Sequence, residues 1–189
     1  MPKLNEPDID VRATLRLGSL DHTFAAFQKR KGTEKALAAT RTLAEGKTDK
    51  PLFLLYGGVG NGKTHLIEAL ILRWWERGIV CRYLTMGEVM DSIMGSIHNE
   101  MKTVDEVCHN FSVASRMIMD DFEPFKESEW ALIRLERIID YRYRNRLPTI
   151  VSTNRDLKEL PERIVSRFFD PDVSTAILNE GTDYRRRVK

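Results

Sequence analysis

Apolar positions along this chain alternate between short continuous runs and stripes at helical spacing. The stretch DHTFAAFQKRKGTEKALAATRTLAEG (21–46) carries Ala36, Leu37, Thr40, Leu43 and Ala44 at helical spacing, with Gly46 as its stop. LFLLY (52–56) is an unbroken apolar run, the pattern of a strand buried on both faces. KTHLIEALILRWWER (63–77) puts Leu66, Ile67, Leu70, Ile71 and Trp74 on one helical face, and Gly78 ends it. The two patterns then repeat. IVCRYL (79–84) reads as a second strand, and MGEVMDSIMGSIHNE (86–100) and TVDEVCHNFS (103–112) as two amphipathic helices. RMIMDD (116–121) is a third strand, ending in two carboxylates. ESEWALIRLERIIDYRYRNR (127–146) is a long helix with Leu132, Leu135, Ile138 and Ile139 as its stripe. TIVSTN (149–154) is a fourth strand, ELPERIVSRFF (159–169) a helix and VSTAIL (173–178) a fifth strand.

This strand–helix alternation predicts an α/β fold with three αβα layers and a five-stranded, mostly parallel sheet. Residues 1–20 are polar and read as a flexible arm, and residues 21–189 as one domain. Ligands of such sheets sit at the carboxyl ends of the strands. The glycine-rich loop after the first strand, the Asp120–Asp121 pair and Asn154 each fall at such an end.

Composition narrows the function classes. The net charge of +2 does not by itself mark a nucleic-acid binder. Cys81 and Cys108 have no metal-site spacing and fit a reducing compartment. The polar, acidic start MPKLNEPDID is unlike a signal peptide, and no apolar run reaches the roughly 18 residues that would suggest a membrane span. A cytoplasmic protein with no membrane partner is the expectation.

GGVGNGKT (57–64) matches the phosphate-binding P-loop pattern. Its small residues let backbone N–H groups turn inward as an anion nest, and the following helix aims its positive end at the same point. Gly57, Gly58, Val59, Gly60, Asn61 and Gly62, with Lys63, Thr64 and His65, form the candidate nucleotide-binding set. Lys63 can reach the β- and γ-phosphates, and the Thr64 hydroxyl can ligate Mg²⁺. The alternative is a plain strand-turn-helix corner, which needs neither the lysine nor the threonine. RMIMDDF has the form of a metal-holding strand end. Asp120 would hold Mg²⁺, and Asp121 would orient or activate water. Asn154 can position that water, or it can cap the next helix. Arg163 and Arg167 lie at i, i+4. Either can be a surface arginine, or one can act as an arginine finger on a neighbouring subunit's γ-phosphate. Arg185 to Arg187 can include a nucleotide contact or be a solvated basic tail.

In order, PLFLLYGGVGNGKTHLIEAL, RMIMDDF, IIDYRYRNRLPTIVSTN, LPERIVSRFFD and GTDYRRR resemble the AAA+ ATPase domain of the DnaC/DnaI-type replicative helicase loaders. The IstB-type transposition helpers and the DnaA initiators are relatives. The resemblance covers roughly residues 20 to 187. It implies ATP and Mg²⁺ as cofactors, slow ATP hydrolysis that depends on the oligomer, and sites completed across subunits. It also implies partners: single-stranded DNA and a replicative helicase or another DNA-machine protein. By position, Lys63 and Thr64 are Walker A, Asp120 and Asp121 Walker B, Asn154 sensor 1, Arg167 the arginine finger and Arg185 sensor 2. The helices between RYLTM and RMIMDD correspond to those facing DNA in these relatives. Asp121 stands where many such ATPases carry Glu. Two departures stand out: about 50 residues precede the loop where loaders carry a helicase-binding domain, and no separate helical lid is expected after sensor 2, as is usual for this clade.

Segment 134–146 is the most basic, with Arg134, Arg137, Arg142, Arg144 and Arg146 interleaved with Tyr141 and Tyr143. It suits phosphate contact and base stacking, or it is a charged helix face in which Asp140 pairs with Arg144. Three other functions stay open: an IstB-like transposition helper, a small-molecule kinase, and a weakly hydrolysing, ATP-switched interaction module.

Overall fold

The computed structural model describes residues 17–97, 101–123 and 129–185. Most of the expected arm, and Arg186 and Arg187, lie outside them. In chain order the elements are α1 (Glu34–Ala44), β1 (Leu52–Tyr56), α2 (Lys63–Glu76), β2 (Arg82–Thr85), α3 (Met86–Gly95) and α4 (Val104–Ser112). Then come β3 (Met117–Asp120), α5 (Glu129–Arg144), β4 (Thr149–Thr153), a 3₁₀ turn (Leu157–Glu159), α6 (Glu162–Phe168) and β5 (Ser174–Leu178). Among the described residues five strands form one sheet in the order β2-β3-β4-β1-β5, with every neighbouring pair parallel. The sheet expected to be mostly parallel is wholly so here.

Strand alternation divides the core into two layers. Leu52 and Leu54 of β1, Met117 and Met119 of β3 and Val151 of β4 pack against α3, α4, α5 and α6. Phe53 and Leu55, Ile118 and Ile150 point to the opposite face and pack against α1 and α2. Leu66, Ile67, Leu70, Ile71 and Trp74 of α2 are buried there. Each such side chain contributes about 2 kcal/mol on burial, so packing rather than local propensity holds this Trp- and Ile-containing helix. The paired helices α3 and α4 each begin at a threonine in a capping box. Thr85 N–H donates to Glu88 at 2.8 Å, and Thr103 N–H donates to Glu106 at 2.8 Å.

Two expectations need correction. The helical stretch expected from residue 21 starts only at Glu34. Gly32 stands at φ +89°, and a Cβ there would lie 2.8 Å from the Glu180 backbone, so the chain turns before the helix instead of continuing it. The second concerns Arg142, one of the arginines considered for DNA contact. It is fully buried. Its Nε donates to Thr149 Oγ1 at 2.9 Å and its Nη2 to Pro148 O at 2.6 Å. Its Nη1 reaches Phe111 O, Ser112 O and Ala114 O at 3.0, 3.1 and 2.7 Å. Burial pulls its pKa down to about 10, so it remains a cation at neutral pH. The carbonyls at the end of α4 carry the partial negative charge of a helix C-terminus and stabilise it. Arg142 therefore staples α4 to the start of β4. Arg142→Met, which strands these acceptors, is expected to destabilise the fold by about 3 kcal/mol or more, read as a lowered urea midpoint.

Candidate functional site

The loop 57–62 joins β1 to α2 at the carboxyl edge of the sheet. It is clamped by a segment distant in sequence. Asn179 N–H donates to Tyr56 O at 2.7 Å. The Asn61 amide donates to Asn179 O at 2.7 Å, and the Asn179 amide returns a bond to Asn61 O at 2.9 Å. Tyr184 N–H donates to Gly60 O at 2.8 Å. The fit leaves no room for a side chain at Gly60, which has φ +70°; a Cβ there would lie 1.9 Å from Asp183 Oδ1. Periodicity gave no hint of the buried Asn61–Asn179 pair, whose members are 118 residues apart.

A cavity of about 760 Å³ opens beside the loop. Residues Val59 to His65 line it, together with Asp121, Asn154 and Arg185. Gly57 and Gly58 lie behind it as backbone acceptors: Lys63 Nζ donates to Gly57 O at 2.9 Å, Gly58 O at 2.7 Å and Asn61 Oδ1 at 3.2 Å. Burial lowers the Lys63 pKa, while the charges of Asp121 and Asp120 act in the opposite sense. Asp120, at the end of β3, is 3% exposed. It accepts from the Ser152 hydroxyl and, at 3.3 Å, from the Tyr83 hydroxyl. Asp121 adopts φ +56°, and its N–H donates to Ser152 Oγ at 3.2 Å. Asn154 Nδ2 donates to Asp121 Oδ1 at 3.3 Å, whereas the cap of the following turn comes from Asp156. The helix-cap alternative for Asn154 is therefore not what the structure has. The Asp121 pKa is raised, first by burial and then by the charges of Asp120 and Glu123; Lys63 and Arg185 partly offset this. A carboxylate so shifted is a better proton acceptor than an exposed one.

The opposite wall comes from residues the pattern of apolar positions did not single out. Asp21, His22, Phe27, Gln28, Arg30 and Tyr184 line it. Phe27 sets its ring edge against His65 at 5.2 Å and Tyr184 at 6.1 Å, between centroids. Arg30 lies over the Tyr184 ring at 3.9 Å. His22 stacks on His65 and pairs with the buried Glu68. The available signal was that Phe24 and Phe27 stand outside the stripe of α1.

Arg167 does not line this cavity. It lies on α6, where it pairs with Asp140 of α5. Arg163, mostly exposed, faces Glu136 at 3.8 Å. Several of the residues considered for DNA contact in segment 134–146 are committed within the chain. Arg142 is buried, Arg144 pairs with Asp140 at 2.9 Å, Tyr143 donates to Asp170, and Arg134 lies over Trp130 at 3.5 Å. Tyr141, Arg137 and Arg146 remain exposed on this segment.

The oxygen donors Thr64 and Asp120 suit a hard cation such as Mg²⁺. Among the described residues no group of three or more His, Cys, Asp or Glu side chains is placed to hold a metal, and no helix is long and apolar enough to cross a membrane. A two-donor protein set fits Mg²⁺, which keeps waters and takes its other ligands from phosphates.

Glycine loop, acidic strand end, polar strand end and all-parallel sheet together define a P-loop NTPase domain of the AAA+ class. Residues 19–171 match the family model of the bacterial DnaA ATPase domain, and the chain belongs to that family. The chromosomal replication initiator DnaA of Enterococcus faecalis is 30% identical over 182 residues, covering 87% of this chain and 40% of that protein. The AMPPCP-bound structure of DnaA from Aquifex aeolicus superposes with a TM-score of 0.71 at 22% identity, over 86% of this chain and 51% of that one. The DnaC helicase loader superposes at 0.70 and 19% identity, over 85% of this chain and 98% of that one. The chain thus spans 35% to 40% of the length of the first DnaA initiators it matches.

Proposed function

We propose that this chain is an oligomeric AAA+ ATPase of DNA replication that loads or remodels a replicative helicase on single-stranded DNA. The observation that carries this proposal is one cavity. It gathers Lys63, Asp121, Asn154 and Arg185 from four separate stretches of the chain around the glycine loop. ATP lies with its phosphates in the loop, where Lys63 and the N-terminus of α2 meet their charge. Thr64 and Asp120 would hold Mg²⁺, which would neutralise phosphate charge. Asp121 accepts the proton of the attacking water, and Asn154 holds the Asp121 carboxylate and that water in place. Arg185 binds the phosphates from the side of the 179–185 segment. Arg167 serves the site of a neighbouring subunit, where the developing γ-phosphoryl charge needs a cation.

Family membership supports ATP hydrolysis, and the likeness to DnaA initiators and to the DnaC helicase loader supports replication and a helicase partner. For DNA, the helices α3 and α4 are favoured over segment 134–146. A groove of about 330 Å³ between them carries Arg82, Lys102, Ser92 and Asn110, polar groups that suit a phosphate, together with the acidic Asp91 and the apolar Val107 and Phe111, so a DNA contact there is sparse. The test is ATP turnover against protein concentration, with and without single-stranded DNA. Turnover per subunit should rise with concentration, and a flat line would overturn the shared site. ATP-dependent DNA binding should weaken steeply with salt. No DNA binding at low salt would remove the DNA part.

The aromatic wall gives a separate expectation. Phe27 is 6% exposed and its ring packs against Gly62 of the loop. Phe27→Ala is therefore expected to destabilise the fold by about 3 kcal/mol, read as a lowered urea midpoint, and to weaken binding of ATP and of inorganic triphosphate alike. An unchanged midpoint would mean that the ring does not support the loop. A second function, an ATP-switched assembly module that hydrolyses weakly, draws on Asp121. Its side chain is one methylene shorter than Glu and is already engaged by Asn154. Saturating ATP binding without turnover would favour it.

A further inference from the structure

We infer that Asp140 is a positioning residue for Arg167, holding its guanidinium so that two N–H groups face outward for a phosphate of the neighbouring subunit. This rests on the shared-site proposal above. Arg167 has five N–H groups. Its Nε donates to Asp140 Oδ1 at 3.1 Å, and its Nη2 donates to the same oxygen. Its Nη1 donates to Arg163 O, one turn back on α6. These contacts engage three donors and leave one N–H on each terminal nitrogen, the fork that suits two phosphate oxygens. The side chain is 20% exposed, enough for a ligand but too little for free rotation.

The surroundings make Asp140 the fixed point. Its other oxygen, Oδ2, accepts from Arg144 at 2.9 Å, so one carboxylate balances two guanidinium groups. The Tyr143 ring lies 5.8 Å from the Arg167 guanidinium carbon, and the Tyr143 hydroxyl is tied to Asp170. An open groove of about 610 Å³ adjoins these groups, lined by Asp140, Tyr143, Arg144, Arg163, Ser166 and Arg167. Without Asp140, Arg144, Arg163 and Arg167 would repel one another across this groove, and the Arg167 fork would lose its aim. A charge-assisted contact that orients another group acts on kcat rather than on nucleotide affinity, because Asp140 lies outside its own subunit's nucleotide cavity.

The test uses the full chain at a protein concentration where turnover per subunit has saturated. Asp140→Ala should lower kcat about tenfold, a cost expected of a misplaced catalytic group. KM for ATP, and ATP affinity of the dilute chain, should stay at wild-type values. Asp140→Asn, which keeps an oxygen acceptor and the side-chain shape, should recover part of the loss. The double variant Asp140→Ala/Arg167→Ala should be no slower than Arg167→Ala alone, since both act through one group. Additive losses in that cycle, or wild-type kcat in Asp140→Ala while Arg167→Ala is slow, would overturn the inference and leave the shared site intact. A wild-type rate in Arg167→Ala would overturn the shared site and the inference with it.

Discussion

Replacing Lys63 with alanine is expected to abolish ATP turnover and to weaken ATP binding at least about 100-fold, or about 2.7 kcal/mol. Lys63 is the cation at the mouth of the glycine loop, buried, with Nζ held by Gly57 O, Gly58 O and Asn61. All three ammonium donors are thereby engaged by the loop, and on ATP binding they exchange these partners for anionic oxygens in a partly desolvated cavity, where a charge-assisted bond is stronger than in water. Backbone N–H groups alone cannot replace a full positive charge against a triphosphate. Equilibrium dialysis with radiolabelled ATP gives the affinity, and circular dichroism checks that the fold survives. Wild-type binding in this variant would mean that the loop is not a phosphate site.

Arg167→Ala is expected to lower turnover at saturating protein concentration by about a thousandfold, the low end of the range for an arginine finger. ATP affinity of the dilute chain should not change, because Arg167 is absent from the cavity that holds Lys63 and Asp121. Stability should fall by about 1 to 3 kcal/mol, since the contacts of Arg167 with Asp140 and Arg163 O are mostly buried, and a urea midpoint shows that the variant stays folded under assay conditions. Single-turnover and steady-state measurements across a protein dilution series separate these effects. A loss of ATP affinity equal to the loss of rate would indicate a role in the arginine's own subunit instead.

Much of this fold was legible because its strands are nearly pure apolar runs. LFLLY is buried on both faces and could not be confused with a surface element. The alternation of runs and stripes then put the glycine loop, Asp121 and Asn154 on one edge, where the structure brings them to a single cavity. What the pattern hid was long-range or inverted in polarity. The Asn61–Asn179 pair joins polar residues too distant in sequence for any periodicity to link them. Residues 21–30 have no repeat of their own, because they form a wall rather than a helix. Arg142 misled because a charged residue in a basic stretch suggests solvent. Its spacing carried the opposite message: Leu135, Ile138, Ile139 and Arg142 follow the i, i+3, i+4, i+7 rhythm of a buried stripe. Position on the helix outweighed residue type, because neutral backbone acceptors were there to satisfy the cation.

The shared site is tested most directly by mixing two variants that are each inactive alone. Lys63→Ala keeps Arg167 but cannot hold ATP productively, whereas Arg167→Ala holds ATP but lacks the cation for its neighbour. If the nucleotide lies between subunits, an equimolar mixture regains a substantial fraction of wild-type turnover, and the regained rate falls on dilution. If Lys63 and Arg167 serve the same subunit's nucleotide, the mixture stays as inactive as its components at every concentration.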